Sequence, residues 1–175
     1  MNRKFVVIGL ALAIVAQTAV LASVYLGAVY PLWTGQEIRL ETRPVDPRSI
    51  FRGNYARLRY EVQNLPASAF DNFDQLRQNE VVYVSLKPDD AGLHVFDRAT
   101  LEKPQQGVFL RGRLNKHNRN GGPQVRFDNI DAWFAPKKEA LRLERELASS
   151  AVAVVMVADN GKATLKAIEP AAEGS

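Results

Sequence analysis

The side chains best suited to chemistry lie in one short stretch, Asp46 to Tyr60, which reads DPRSIFRGNYARLRY. Arg48, Arg52, Arg57 and Arg59 stand there beside Tyr55 and Tyr60. Planar guanidinium groups pair with carboxylates and phosphates, so this stretch suits recognition of an acidic group. Asp46-Pro47 suits a turn, since proline presets the first corner and the aspartate accepts from the backbone two residues on. Gly53 permits a left-handed or tight backbone at the entry to a strand. Asn54 tolerates the same region and offers a side-chain acceptor. An amide, however, serves neither as a general base nor as a carboxylate ligand for a hard metal. The same residues would also build a plain turn and strand with no ligand at all.

A second basic cluster comprises Arg111, Arg113, Lys116, Arg119 and Arg126, with no acidic residue before Asp128. One reading is a solvated hairpin whose charges protect a sheet edge. The other is contact with anionic headgroups or envelope polyanions.

Much other chemistry is unsupported. The chain has 175 residues and no cysteine, which removes disulfides, thiolate nucleophiles and cysteine-based zinc sites. His94 and His117 are its two histidines and lack metal-ligand spacing. Asp89-Asp90 and Asp71 with Asp74 lack the spacing of a calcium loop. Neither a Walker loop nor a GxGxxG turn is present, so no cofactor and no metal is expected. Ser49 is followed by Ile50-Phe51, not the Met-x-Pro context of a signal-peptidase nucleophile, and Lys87 is the nearest downstream lysine. A membrane-anchored Ser–Lys hydrolase is the enzyme alternative, disfavoured because such a dyad needs a desolvated lysine close to the serine and nothing in the sequence fixes Lys87 there.

These residues must be positioned by a chain with an unusual start. From Phe5 to Tyr30 there is no charged residue, a run of about 26 against the ~20 needed to cross a bilayer. Arg3 and Lys4 precede it, and Tyr25, Tyr30 and Trp33 gather at its far end. That pattern predicts a single transmembrane helix, 5–30, ended by Pro31, with the N-terminus cytoplasmic and the remainder exported. A cleaved signal peptide is the rival, with Val20-Leu21-Ala22 as the cleavage site, but the apolar run continues beyond it. Two of the 23 basic residues lie before the run, so 21 face 19 acidic ones afterwards. So weak a net charge gives no ground for a nucleic-acid partner.

Beyond the anchor, residues 1–4 form a cytoplasmic stub, 31–35 a linker, 36–170 one exported domain and 171–175 a tail expected to be disordered. Gln36 to Val45 alternates with Ile38, Leu40 and Thr42 on one face, as in a half-buried strand. Tyr55 to Val62 alternates likewise, with Leu58, Tyr60 and Val62 inward. Val81–Leu86, Leu93–Phe96, Val108–Leu114 and Gln124–Phe127 read as further strands. Residues 64–79 read as a connection with a short helix, from Phe70, Phe73 and Leu76, and Pro136 to Ala148 reads as a helix. Ala151–Ala158 and Ala163–Ile168 flank Asp159-Asn160-Gly161-Lys162, a strong hairpin signal. The expected fold is an N-terminal transmembrane helix plus a mainly β domain, an antiparallel sheet or small barrel, with one or two short helices.

Gly53, Tyr55, Leu58 and Tyr60 match the motif that names the GDYXXLXY family of bacterial membrane-anchored proteins, and the chain resembles that family from about Trp33 onward. Asn54 stands where the motif has Asp. The Asp-Pro-Arg turn and the segment Asn129 to Pro136 are similar too. The resemblance implies an N-terminal anchor, an exported domain and no established activity. It also makes a multi-spanning membrane protein a plausible partner. The function expected from the sequence is therefore a non-catalytic accessory or binding subunit of a membrane assembly. The alternatives are the anchored hydrolase and a binder of anionic lipid or polymer.

Overall fold

A computed structural model describes residues 3–44, 55–70, 73–116, 122–134 and 151–170. The chain begins with one helix, α1, spanning Arg3–Thr34. It is long and apolar enough to cross a membrane, by length and composition. Its hydroxyls are satisfied within the helix, as an apolar surround demands: Thr18 Oγ1 donates to the Ile14 carbonyl at 2.9 Å and Ser23 Oγ to that of Val20 at 2.8 Å.

Pro31 does not end this helix, contrary to the sequence expectation; it lies inside the last turn. Proline forfeits one N–H and crowds the carbonyl four residues back. Here its ring is buried, and its carbonyl accepts the Gly35 N–H at 2.9 Å, which closes the turn. Residues 31–34 are thus helical rather than linker. A Cβ at Gly35 would overlap the Pro31 carbonyl oxygen and stand 3.0 Å from the Val157 backbone. Thr164 Oγ1 donates to the Ala28 carbonyl at 3.2 Å. The end of α1 is therefore seated on the domain.

Among the described residues nine strands follow: β1 (Gln36–Pro44), β2 (Tyr55–Tyr60), β3 (Val81–Pro88), β4 (His94–Thr100), β5 (Val108–Asn115), β6 (Gln124–Arg126), β7 (Ala132–Phe134), β8 (Ala151–Val157) and β9 (Ala163–Pro170). They form two curled antiparallel sheets, ordered β7-β2-β1-β8-β9 and β4-β3-β5-β6. The predicted alternation is realised where Ile38, Leu40, Thr42, Leu58 and Tyr60 are buried, and Val82, Val84, Leu110 and Leu114 join them from β3 and β5. The buried Thr42 hydroxyl is not orphaned, because it donates to the Arg59 carbonyl at 2.8 Å.

Among the described residues, hydrogen bonds tie one sheet, or the connections beside it, to the other where ladders stop short. The Arg111 N–H meets the Gly161 carbonyl at 2.8 Å, so the β8–β9 turn covers the open edge of β5. Gly161 sits at φ 76°, where glycine carries no Cβ penalty. The Leu65 N–H meets the Pro123 carbonyl at 3.3 Å. The Arg39 N–H points at His94 Nδ1 at 3.4 Å.

The mainly β domain behind one long helix matches the expected class. In detail, β2 stops at Tyr60 and turns into a 3-10 helix, Glu61–Gln63, which still buries Val62. The connection holds two further 3-10 turns, Ala67–Ala69 and Phe73–Gln75, rather than an α-helix. Strand β4 extends to Thr100, and β3 continues through Lys87 and Pro88. Strand β7 was not expected. The helix expected over 136–148 and the tail 171–175 lie outside the described residues.

Candidate functional site

Strand β2 presents its two faces to different surroundings. Tyr60 points inward and is 1 % exposed. Its hydroxyl donates to the Ile130 carbonyl at 2.5 Å, and its N–H donates to Gln63 Oε1 at 3.1 Å. Burial, with the negative charge of Asp131, pushes the Tyr60 hydroxyl far above the ordinary tyrosine range. Arg59, one residue back, points outward. Among the described residues its guanidinium has no acidic partner within ion-pair distance.

Through Leu58 and Arg59, β2 borders a cleft of about 280 Å³. Arg59 lines it from one side, and Arg113 of β5 and Arg126 of β6 from the other. One arginine of the first basic group and two of the second thus line one cleft. Amide groups surround them. Gln78 Nε2 donates to Asn115 Oδ1 at 3.0 Å, and Gln78 Oε1 accepts the Lys116 N–H at 2.9 Å. Gln124 reaches Asn64 at 3.5 Å. Asn79 holds a left-handed backbone, φ 65°, and its carbonyl accepts from Arg113 Nη1 at 3.4 Å. The bonded amides are arranged before any ligand arrives, which limits the ordering cost of binding.

The acids near the cleft do not cancel its charge. Asp131 is the carboxylate in the lining, held in place where its carbonyl accepts the Leu58 N–H at 3.0 Å. Asp128 sits 3.5 Å from Arg126 and 3.9 Å from Arg113. All three of these side chains are roughly half exposed, so the pairs are weak and open to exchange. The arrangement can hold a carboxylate or phosphate by charge-assisted hydrogen bonds. Among the described residues, no three His, Asp or Glu side chains gather as metal ligands.

Other expected site residues fall elsewhere. Lys116 leaves the basic cluster: its Nζ donates to the Asp74 and Leu76 carbonyls at 3.0 and 2.9 Å and lies 4.9 Å from the Phe73 ring centre. Arg111 lines a separate hollow of about 130 Å³ with Arg113, Asp128 and Lys162. Tyr55 and Arg57 lie on β2 opposite Phe134 and Ala132 of β7. Asp46, Arg48, Arg52, Gly53, Asn54 and Arg119 lie outside the described residues, as do Ser49 and His117. His94 stands at the sheet-to-sheet contact, its pKa lowered chiefly by burial. Lys87 is 3.5 Å from Asp97.

Sequence reasoning missed the amide lining, Gln63, Gln78, Asn79, Asn115 and Gln124, together with Asp131. They come from separate connections and strands with no shared spacing, so only the tertiary structure unites them. Comparison with curated proteins finds no match, and comparison with solved structures finds none. The family model described as GDYXXLXY protein matches residues 17–168, and the chain belongs to that family.

Proposed function

We propose that this chain is a single-pass, membrane-anchored envelope subunit that binds rather than catalyses. Its arginine cleft docks an acidic group presented by a multi-spanning membrane partner. The observation that carries this reading is the meeting of Arg59 with Arg113 and Arg126 in one amide-walled cleft. α1 would remain in the inner membrane, with the N-terminus cytoplasmic and the β domain periplasmic. Arg3 and Lys4 before the apolar run favour that orientation. The apolar run continues past Val20-Leu21-Ala22 to Tyr30, longer than a signal-peptide core, which favours an uncleaved anchor.

A photo-crosslinking residue at Asn115, expressed in intact cells, tests the docking. An adduct to one membrane protein, lost in Arg59→Glu, is expected. Repeated recovery of the chain alone contradicts it. Protease added to intact spheroplasts should cleave the domain; a shielded domain contradicts the topology.

A second reading has its own observation. Arg111 and Lys162 share a hollow beside the β8–β9 turn, and β8 and β9 are the strands on which α1 is seated. Cations so placed suit anionic headgroups, each worth up to about 1 kcal/mol near a charged surface. Nanodiscs with and without anionic lipid test this through amide exchange at residues 111 and 162. Protection that needs anionic lipid and fades with salt supports it; equal exchange in both discs removes it.

A further inference from the structure

A second concavity has a different chemistry. Strands β4 and β5 flank β3 on opposite sides and both run antiparallel to it. Thr100 at the end of β4 lies opposite Tyr83, whereas Val108 at the start of β5 lies opposite Leu86. The connection 101–107 must therefore cross β3 and also double back along it. A cavity of about 600 Å³ opens where it does so, within the size range of small-molecule sites.

The cavity reaches the core directly. Phe70 and Leu76 line it, and both belong to the central apolar cluster, with Ala99 packed beside them. Its lining combines apolar and cationic side chains. Outside α1, the exposed large apolar side chains among the described residues are Val95 and Leu101, at 36 % and 48 %. Val95 is on β4, and Leu101 follows it and lines the cavity. Leu101 is thus an exposed apolar side chain at an opening into the core. Lys103 and Arg98 also line it. Lys103 has no ion pair among the described residues, and Arg98 reaches Asp97 only at 3.9 Å. Glu102 is the acid in the lining, leaving a net positive rim.

We propose that this groove binds a single acyl chain ending in an acid, the chain against Phe70 and Leu76 and the head at Lys103 and Arg98. The lining is apolar at Phe70, Leu76, Ala99 and Leu101 and cationic at Arg98 and Lys103, the combination that an acyl chain with an acid head would meet. This proposal uses no residue of the arginine cleft, so either reading can fail alone.

The test uses the full chain in phosphatidylcholine nanodiscs and a palmitate analogue with a photoreactive group at its chain end. Mass spectrometry then maps the label. Label is expected on peptides containing residues 70–76 and 98–106, besides α1. Ala99→Trp, which fills the cavity, should cut the domain label at least ten-fold and leave α1 labelling unchanged. Lys103→Glu with Arg98→Glu should cut it several-fold, and on the unaltered chain unlabelled palmitate should compete where its methyl ester does not. Label confined to α1, domain label indifferent to Ala99→Trp, or equal competition by acid and ester overturns the proposal. Displacement by an apolar peptide but not by palmitate overturns it as well.

Discussion

Arg59 and Tyr60 are neighbours on β2, yet they serve opposite sides of the molecule. Tyr60 is enclosed, with its hydroxyl and N–H both bonded, and it joins β2 to the Gln63 turn and the Ile130 carbonyl. Arg59 is exposed, unpaired among the described residues, and faces the cleft. The difference teaches how one alternating strand carries two duties. Its inward positions set the architecture, and its outward positions are left for recognition. A motif spanning both faces therefore mixes residues kept for folding with residues available for binding.

The strongest way to break this comparison is to remove the inward anchor. Tyr60→Ala should cost about 3–5 kcal/mol, as expected for a large buried ring, and thermal unfolding of the reconstituted chain measures it. Tyr60→Phe is the finer probe, because it keeps the ring and leaves the Ile130 carbonyl unpaired, at about 1–3 kcal/mol. It also carries a pH signature. The folded-state pKa of Tyr60 is raised above its ordinary 10.0, so its stabilisation is complete below about pH 10 and falls as pH rises beyond it. Tyr60→Phe should remove that alkaline loss; an identical alkaline decline in parent and variant contradicts the assignment.

Next in size is the joint between the sheets. An alanine Cβ at Gly161 would lie 2.8 Å from the Phe109 ring and 2.9 Å from the Arg111 nitrogen, on a backbone at φ 76°. Gly161→Ala should cost about 1–3 kcal/mol and raise amide exchange at Arg111 first. Unchanged exchange there would mean that the turn does not hold the edge of β5.

Smaller still is the effect of His94. Its folded-state pKa is lowered, chiefly by burial, so the neutral ring is favoured in the fold. Stability from this contact is complete above the ordinary value of 6.5 and declines as pH falls below it. Only the neutral ring can accept the Arg39 N–H at Nδ1. Melting temperatures between pH 7.5 and pH 5 should therefore fall slightly, and His94→Gln should flatten the trend. A rise in stability on acidification reverses the sign and rejects the account.

Most of the architecture was legible from local pattern. Ile38, Leu40 and Thr42 alternate in sequence because they alternate across a pleated strand, and Asn160-Gly161 marked its hairpin by turn chemistry. Strand β7 was illegible because three residues, Ala132 to Phe134, are too few to show a period. Pro31 misled because a proline in a last helical turn loses little when its ring is buried against the domain. The cleft was half legible. Arg59, Arg113 and Arg126 were visible as charge clusters, but their convergence depends on Gln78, Asn79 and Asn115, which meet only through strand pairing and a left-handed turn.

The outward face decides the central claim, and Arg59→Glu isolates it. The variant should unfold within about 0.5 kcal/mol of the parent, as an exposed substitution does. In the same preparation it should lose the partner adduct formed through Asn115. An undiminished adduct on a fully folded Arg59→Glu chain would show that the cleft does not do the docking.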